Sequence, residues 1–73
     1  MDQALFNRTY LEGEREVARR VLNVIVTPAN ALNMIDAARV SGVGVGVARL
    51  VIRRGVEAGL VDFNGPPTRY FLP

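Results

Sequence analysis

Apolar residues recur along this chain at two different periods, and the change from one to the other maps its elements. In "LEGEREVARRVLNVIV", Val17, Ala18, Val21, Leu22 and Ile25 fall on one stripe at helical spacing. Arg15, Glu16, Arg19, Arg20 and Asn23 lie opposite, and Glu16 with Arg20 makes a helix-supporting pair. The pattern predicts a helix over 12–26, with Glu12, Glu14 and Glu16 as first-turn acids favoured by the helix dipole rather than as a metal cluster. "TP" marks the next start: Thr27 suits the N-cap and Pro28 the first helical position. That second helix runs over 28–41, with Leu32, Ile35 and Ala38 facing inward, and Gly42 ends it in a left-handed turn. A third helix spans 45–58 and stops at Gly59. The period then shortens to two, so Val61 to Phe63 and Arg69 to Leu72 read as strands around "NGPP", within a C-terminal unit over 60–73. Ahead of all this lies an arm over 1–11, whose Phe6, Tyr10 and Leu11 read as a segment folding back on the core or as a dimer contact.

"SGVGVGVARL", residues 41–50, poses the question of chemistry. A dinucleotide-binding loop needs G-x-G-x-x-G after a buried strand, with an acid about 20 residues on. Here the spacing is Gly42-x-Gly44-x-Gly46, and the preceding "MIDAARVS" is helical in period. A phosphate loop of the Gly-Lys-Ser/Thr type is excluded because the chain has no Lys. A helix-turn-helix fits instead. Such a unit has a small residue midway along its first helix and a glycine four positions on, and Ala38 and Gly42 have that spacing. Two helices meeting at a steep angle across a short turn need small residues there. Val43, Ala48 and Val51 fall where they would meet.

On the third helix, Ala48, Val51, Ile52, Gly55 and Gly59 form one side, continued by Val45 and Val56. Gly46, Arg49, Leu50, Arg53, Arg54 and Glu57 form the other. The stretch "VIRRGVEAGLVDFNG…TRYFLP" resembles the end of many winged-helix domains, where the third helix closes with "EAGLV" and leads into a β-hairpin wing. Among these the layout is most similar to the gamma domain of bacterial septal DNA translocases, with Gly44, Ala48, Ile52, Ala58, Gly59 and Arg69 in corresponding places. The resemblance covers roughly residues 14–73.

It implies a mainly α fold with a small β-hairpin, a winged helix-turn-helix of three helices plus a C-terminal wing. Its third helix would serve as a recognition helix lying in the major groove of duplex DNA. Arg49 and Arg53, one turn apart, would then reach base edges or phosphates. Arg54, at the edge of the arc, suits a phosphate, Gly46 permits close approach to the DNA backbone, and Arg69 reaches out from the wing. Two features depart from the pattern. The recognition helix opens with Gly-Val-Gly-Val instead of polar base-reading residues, so specificity would rest on two arginines and DNA shape. Gly55 stands where winged helices commonly carry Leu; either Val56, Phe63 or Tyr70 fills the space, or another backbone packs closely there. Leu50 on the outward face suits a thymine methyl or a protein interface, and with Phe6 and Tyr10 it completes a set of candidate interface residues.

Composition narrows the functions further. The chain has 73 residues, enough for one small domain over 1–73, and such a chain buries only about 60 % of its unfolded surface. Hydrophobic residues make up 49 % of it, which argues for a real core. The absence of Cys and His removes disulfides, nearly all zinc, iron or copper sites and any histidine base, so no metal and no cofactor are expected. Without Lys as well, no pair of reactive groups forms a catalytic motif, and an enzyme is not expected. Net charge is only +2, and all the basic residues are Arg, as in proteins from GC-rich genomes. The planar Arg fork nonetheless binds phosphate and guanine bidentately. Apolar runs are too short for a membrane span, and "MDQALFNRTY" lacks the apolar core of a signal peptide, so a cytoplasmic protein with no membrane partner is expected. The leading expectation is a small duplex-DNA-binding protein, a transcriptional or phage/plasmid-type regulator. It would act as a homodimer or within a larger nucleoprotein complex, because one such domain gives a short footprint. The alternative is a winged-helix protein–protein adaptor on polymerase or replication machinery.

Overall fold

In the computed structural model, which describes Met1–Pro73, four α-helices precede a two-stranded antiparallel hairpin. The arm expected over 1–11 is itself helical: α1 spans Gln3–Thr9. Asp2 caps it, its carboxylate accepting from the Leu5 N–H at 3.1 Å. Helical spacing stacks Phe6 against Tyr10, with ring centroids 5.2 Å apart. A single 3-10 turn, Glu12–Glu14, leads into α2, Arg15–Asn23. The Glu14 carboxylate reaches back to the Leu11 N–H at 3.1 Å, which fixes where the chain turns into the helix. The expected helix over 12–26 is therefore shorter, although its apolar stripe holds: Ala18, Val21, Leu22 and Ile25 are all fully buried.

The segment expected as one helix over 28–41 divides. Pro28–Asn30 makes a 3-10 turn for which Thr27 provides no side-chain cap, and the chain then extends. Leu32 pairs with Tyr70 in an isolated antiparallel bridge, its N–H donating to Tyr70 O at 3.2 Å and its carbonyl accepting from Tyr70 N at 2.8 Å. Asn33 then caps α3, Met34–Ser41, accepting from the Asp36 N–H at 2.8 Å. This restart corrects the expectation for Ile35. Ala37 and Ala38 are the buried pair on α3, so the inward direction lies between them, and Ile35 sits about 110° around the helix from it. Ile35 is 66 % exposed. Leu32 and Met34 pack at the core margin instead.

Gly42 has φ +76°, the left-handed geometry expected of it, and its N–H and that of Val43 both donate to the Ala38 carbonyl. Three residues after Gly42 α4 begins and runs Val45–Ala58, the boundaries the sequence predicts, with Gly59 as its left-handed end. The strands β1 (Asp62–Asn64) and β2 (Arg69–Phe71) pair Phe63 with Tyr70. Leu72 N donates to Ile25 O at 2.8 Å, so the hairpin is fastened to the end of α2 as well as to Leu32.

The core is one cluster. Phe6 from α1 and Tyr10 just after it, the α2 stripe, Ala37 and Ala38 from α3, and Ala48, Val51 and Ile52 from α4 meet in it, closed by Leu60 and Val61. No charged side chain is buried and no buried polar side-chain atom lacks a partner. Phe6 and Tyr10 are thus interior residues and offer no surface to a second molecule. Gly55 is where they close on α4. A Cβ there would lie 2.6 Å from Val61 Cγ2 and 3.0 Å from the Tyr10 hydroxyl. The space left by the missing leucine is filled by the Tyr10 and Val61 side chains, from neither of the sources the sequence suggests. No helix is long and apolar enough to cross a membrane.

Candidate functional site

With nine arginines and seven acids, the useful distinction is between guanidinium groups the fold has already engaged and those it leaves open. Arg15 donates to the Tyr10 and Asn7 carbonyls at 3.1 and 3.0 Å, and Arg19 lies over the Phe6 ring at 4.9 Å. Arg20 pairs with Glu16 and Arg39 with Asp36 within their own helices. Arg54 reaches across to Glu14, 2.8 Å from both carboxylate oxygens. Arg8, Arg49, Arg53 and Arg69 make no ion pair and no side-chain hydrogen bond. An unpaired exposed guanidinium keeps its whole donor fork for a ligand.

Two of these open groups share a site. Arg49 and Arg53, successive turns on one edge of α4, line an open groove of about 630 Å³ between that helix and the hairpin. Its apolar wall is Met34, Ile52, Val56, Phe63 and Tyr70. Glu57 continues the helix edge one turn beyond Arg53, and Thr68 closes the hairpin side. Phe63 is 52 % exposed and lines the groove, tilted against Tyr70 with ring centroids 6.3 Å apart.

The remaining expected contact residues are distributed elsewhere. Gly46 lies in the first turn of α4 with nothing within 4 Å of where its Cβ would be, so the helix start is open to a close neighbour. Arg69 is opposite Asn64, hence on the hairpin face turned away from Phe63 and Tyr70. Arg54 sits on the far flank of α4, beside Val47 and Leu50 in a shallow depression of about 240 Å³. Leu50 is 45 % exposed there and remains a candidate interface residue, whereas Phe6 and Tyr10 are interior. The four arginines singled out from the sequence are thus three separate groups: Arg49 with Arg53, Arg54 tied to Glu14, and Arg69 outside the hairpin.

The Glu14–Arg54 pair has an electrostatic signature. The Leu11 N–H and then the Arg54 guanidinium hold the Glu14 carboxyl below its ordinary value. Burial pushes the Tyr10 phenol up to about 12, with Arg54 pulling slightly the other way. Glu12, Glu14 and Glu16 do not converge on a point, and no three acidic side chains in the structure do so.

Sequence reasoning singled out Arg49 and Arg53 but not the groove they line. Glu57 was legible as the next residue on the same edge, at i+4 and i+8. Phe63 was not, because alternation in a strand assigns it a face without saying whether anything covers that face. No family model, curated protein or solved structure matches the chain.

Proposed function

We propose that this protein is a small duplex-DNA-binding module of the winged-helix type, with α4 laid in the major groove and the hairpin alongside it. The observation that carries the reading is the pair Arg49 and Arg53, unpaired and exposed, one turn apart on the outward edge of a 14-residue helix. Forks at that spacing match adjacent phosphates or a guanine edge. The first turn of α4 holds no acid and carries Gly46, so neither charge nor bulk opposes a phosphate backbone. Contacts so few give modest affinity, so the module acts as a dimer or in several copies. We read it as a regulator that occupies DNA and does no chemistry on it.

The test is binding of a labelled mixed-sequence duplex across a salt series. Two phosphate-directed guanidinium groups give a log–log slope of about −2. No binding at low salt overturns the reading. One observation favours a second reading: Val47 and Leu50, 46 % and 45 % exposed, form an apolar pair on the opposite flank of α4. That flank suits a protein partner, as a winged-helix adaptor would require.

A further inference from the structure

We propose that the groove between α4 and the hairpin is a binding site for a nucleotide unit, a planar base bearing an amino group and joined to a phosphate. The inference uses Arg49 and Arg53 but does not depend on duplex binding. Three features define the ligand. The apolar wall and the half-exposed Phe63 ring ask for a flat, unsaturated ring, since aromatic rings stack on one another in an offset manner. Arg49 and Arg53 hold ten N–H donors with no acidic partner, which asks for an oxyanion. Glu57 is also unpaired and places an acceptor on the same edge, one turn past Arg53. A carboxylate there repels the phosphate and the carbonyl edge of a base but accepts from an exocyclic amine, as it does from cytosine.

The order along the helix is therefore anion end, then amine end. Arg49 and Glu57 are eight residues apart, or about 12 Å along the axis. That span, with Arg53 midway along it, matches a ligand with its phosphate toward Arg49, in the middle of α4, and its amino group near the helix end. The groove volume of about 630 Å³ lies in the range typical of small-molecule sites, roughly 300–1,000 Å³. The same chemistry can come from a free mononucleotide or from an unpaired base in a strand.

Amide chemical shifts of the whole protein, followed during titration with AMP, IMP, adenosine and ribose 5-phosphate, test the proposal. A single-stranded oligo(dA) and a blunt duplex complete the series. AMP should shift Val56, Phe63, Thr68 and Tyr70, and bind more tightly than IMP, adenosine or ribose 5-phosphate. Phe63→Ala should weaken AMP by about fivefold or more, the loss of one base–aromatic stack. Phe63→Trp keeps a flat ring and gives the chain its only tryptophan, whose fluorescence should be quenched by AMP. Glu57→Gln should narrow the gap between AMP and IMP. Saturation by AMP but not by oligo(dA) assigns the site to free nucleotides, and the reverse assigns it to unpaired bases. Equal binding of AMP and ribose 5-phosphate, unaffected by Phe63→Ala, overturns the proposal, as does the absence of shifts at millimolar AMP. Duplex binding without AMP shifts leaves the proposed function intact and removes this one; AMP shifts without duplex binding do the opposite.

Discussion

Tyr10 and Gly55 are complementary. The phenol at the end of α1 reaches over α4 where a side chain is missing and donates to the Val51 carbonyl at 2.6 Å. Its oxygen lies 3.0 Å from where a Cβ on Gly55 would be. The glycine is the socket in which the N-terminal helix is seated.

Gly55→Ala should therefore destabilise the fold, although alanine is the better helix former. The added methyl meets Val61 Cγ2 at 2.6 Å and the Tyr10 hydroxyl at 3.0 Å, both in the closed interior. Overpacking of this kind costs about 1–3 kcal/mol, against a helix-propensity gain of about 1 kcal/mol. Tyr10→Phe should lessen the cost without abolishing it, because the Val61 contact remains. Thermal melts of the two single variants and the double variant measure that coupling; strict additivity would contradict the contact.

Alkali should loosen the same joint. With its pKa raised from 10 to about 12, the folded state favours the neutral phenol. Stability is then full below pH 10 and declines as the pH rises to about 12, by about 3 kcal/mol in all. Urea midpoints between pH 9 and 12 should show the decline in the natural protein and lose most of it in Tyr10→Phe.

Acid acts on a different contact, the Glu14 carboxylate held by the Leu11 N–H and the Arg54 guanidinium. The Glu14 carboxyl lies below its ordinary value, so its contribution is present above that value and is lost as the pH falls through the folded one. Glu14→Gln should flatten the acid limb of a stability–pH curve, and a parallel limb would show that the carboxylate's contacts with Leu11 and Arg54 contribute nothing.

Within the core, Ile52→Ala should cost about 2–5 kcal/mol, enough to unfold a domain of this size. Ile35→Ala should lie within about 0.5 kcal/mol of the natural protein, because its side chain is in solvent. Gly42→Ala should cost about 1–2 kcal/mol through backbone strain alone, since φ is +76° and nothing crowds the site. Melting temperatures of the three variants check the ranking.

Among the arginines, Arg49→Ala and Arg53→Ala should each reduce the log-salt slope of duplex binding by about 1. Arg54→Ala should leave the slope alone and shift the melting temperature instead, because its guanidinium is engaged by Glu14. A slope that falls for Arg54 as much as for Arg53 would show that DNA displaces the ion pair.

What could be read from the residues follows from how local each determinant is. The bounds of α4 were legible because Gly42 and Gly59 need left-handed geometry that few other residues adopt. The stripe on α2 was legible because one helical period governs it. Ile35 was misplaced for the opposite reason. The break at Ala31–Asn33 depends on the Leu32–Tyr70 bridge, a contact across 38 positions that no local pattern encodes. The helix at Gln3–Thr9 had its signals in Asp2 and in the Phe6/Tyr10 spacing, but it is stable only where Gly55 receives it. The groove was the least legible part. Arg49, Arg53 and Glu57 are marked by helical spacing, while Phe63 faces them only because the hairpin folds back.

The Leu32–Tyr70 bridge that delays the start of α3 also affects how the molecule behaves in a crowd. Strand edges with open N–H and C=O groups invite other chains to pair with them. Here β2 has β1 on one side and Leu32 on the other, so its hydrogen-bonding capacity is used within the molecule. On the outer edge of β1 only the Phe63 backbone points outward, its N–H already donates to the Asp62 carboxylate at 2.8 Å, and the flanking Asp62 and Asn64 are residues that strands disfavour. A hairpin that carries an exposed phenylalanine beside a binding groove is thereby kept from templating β-aggregates.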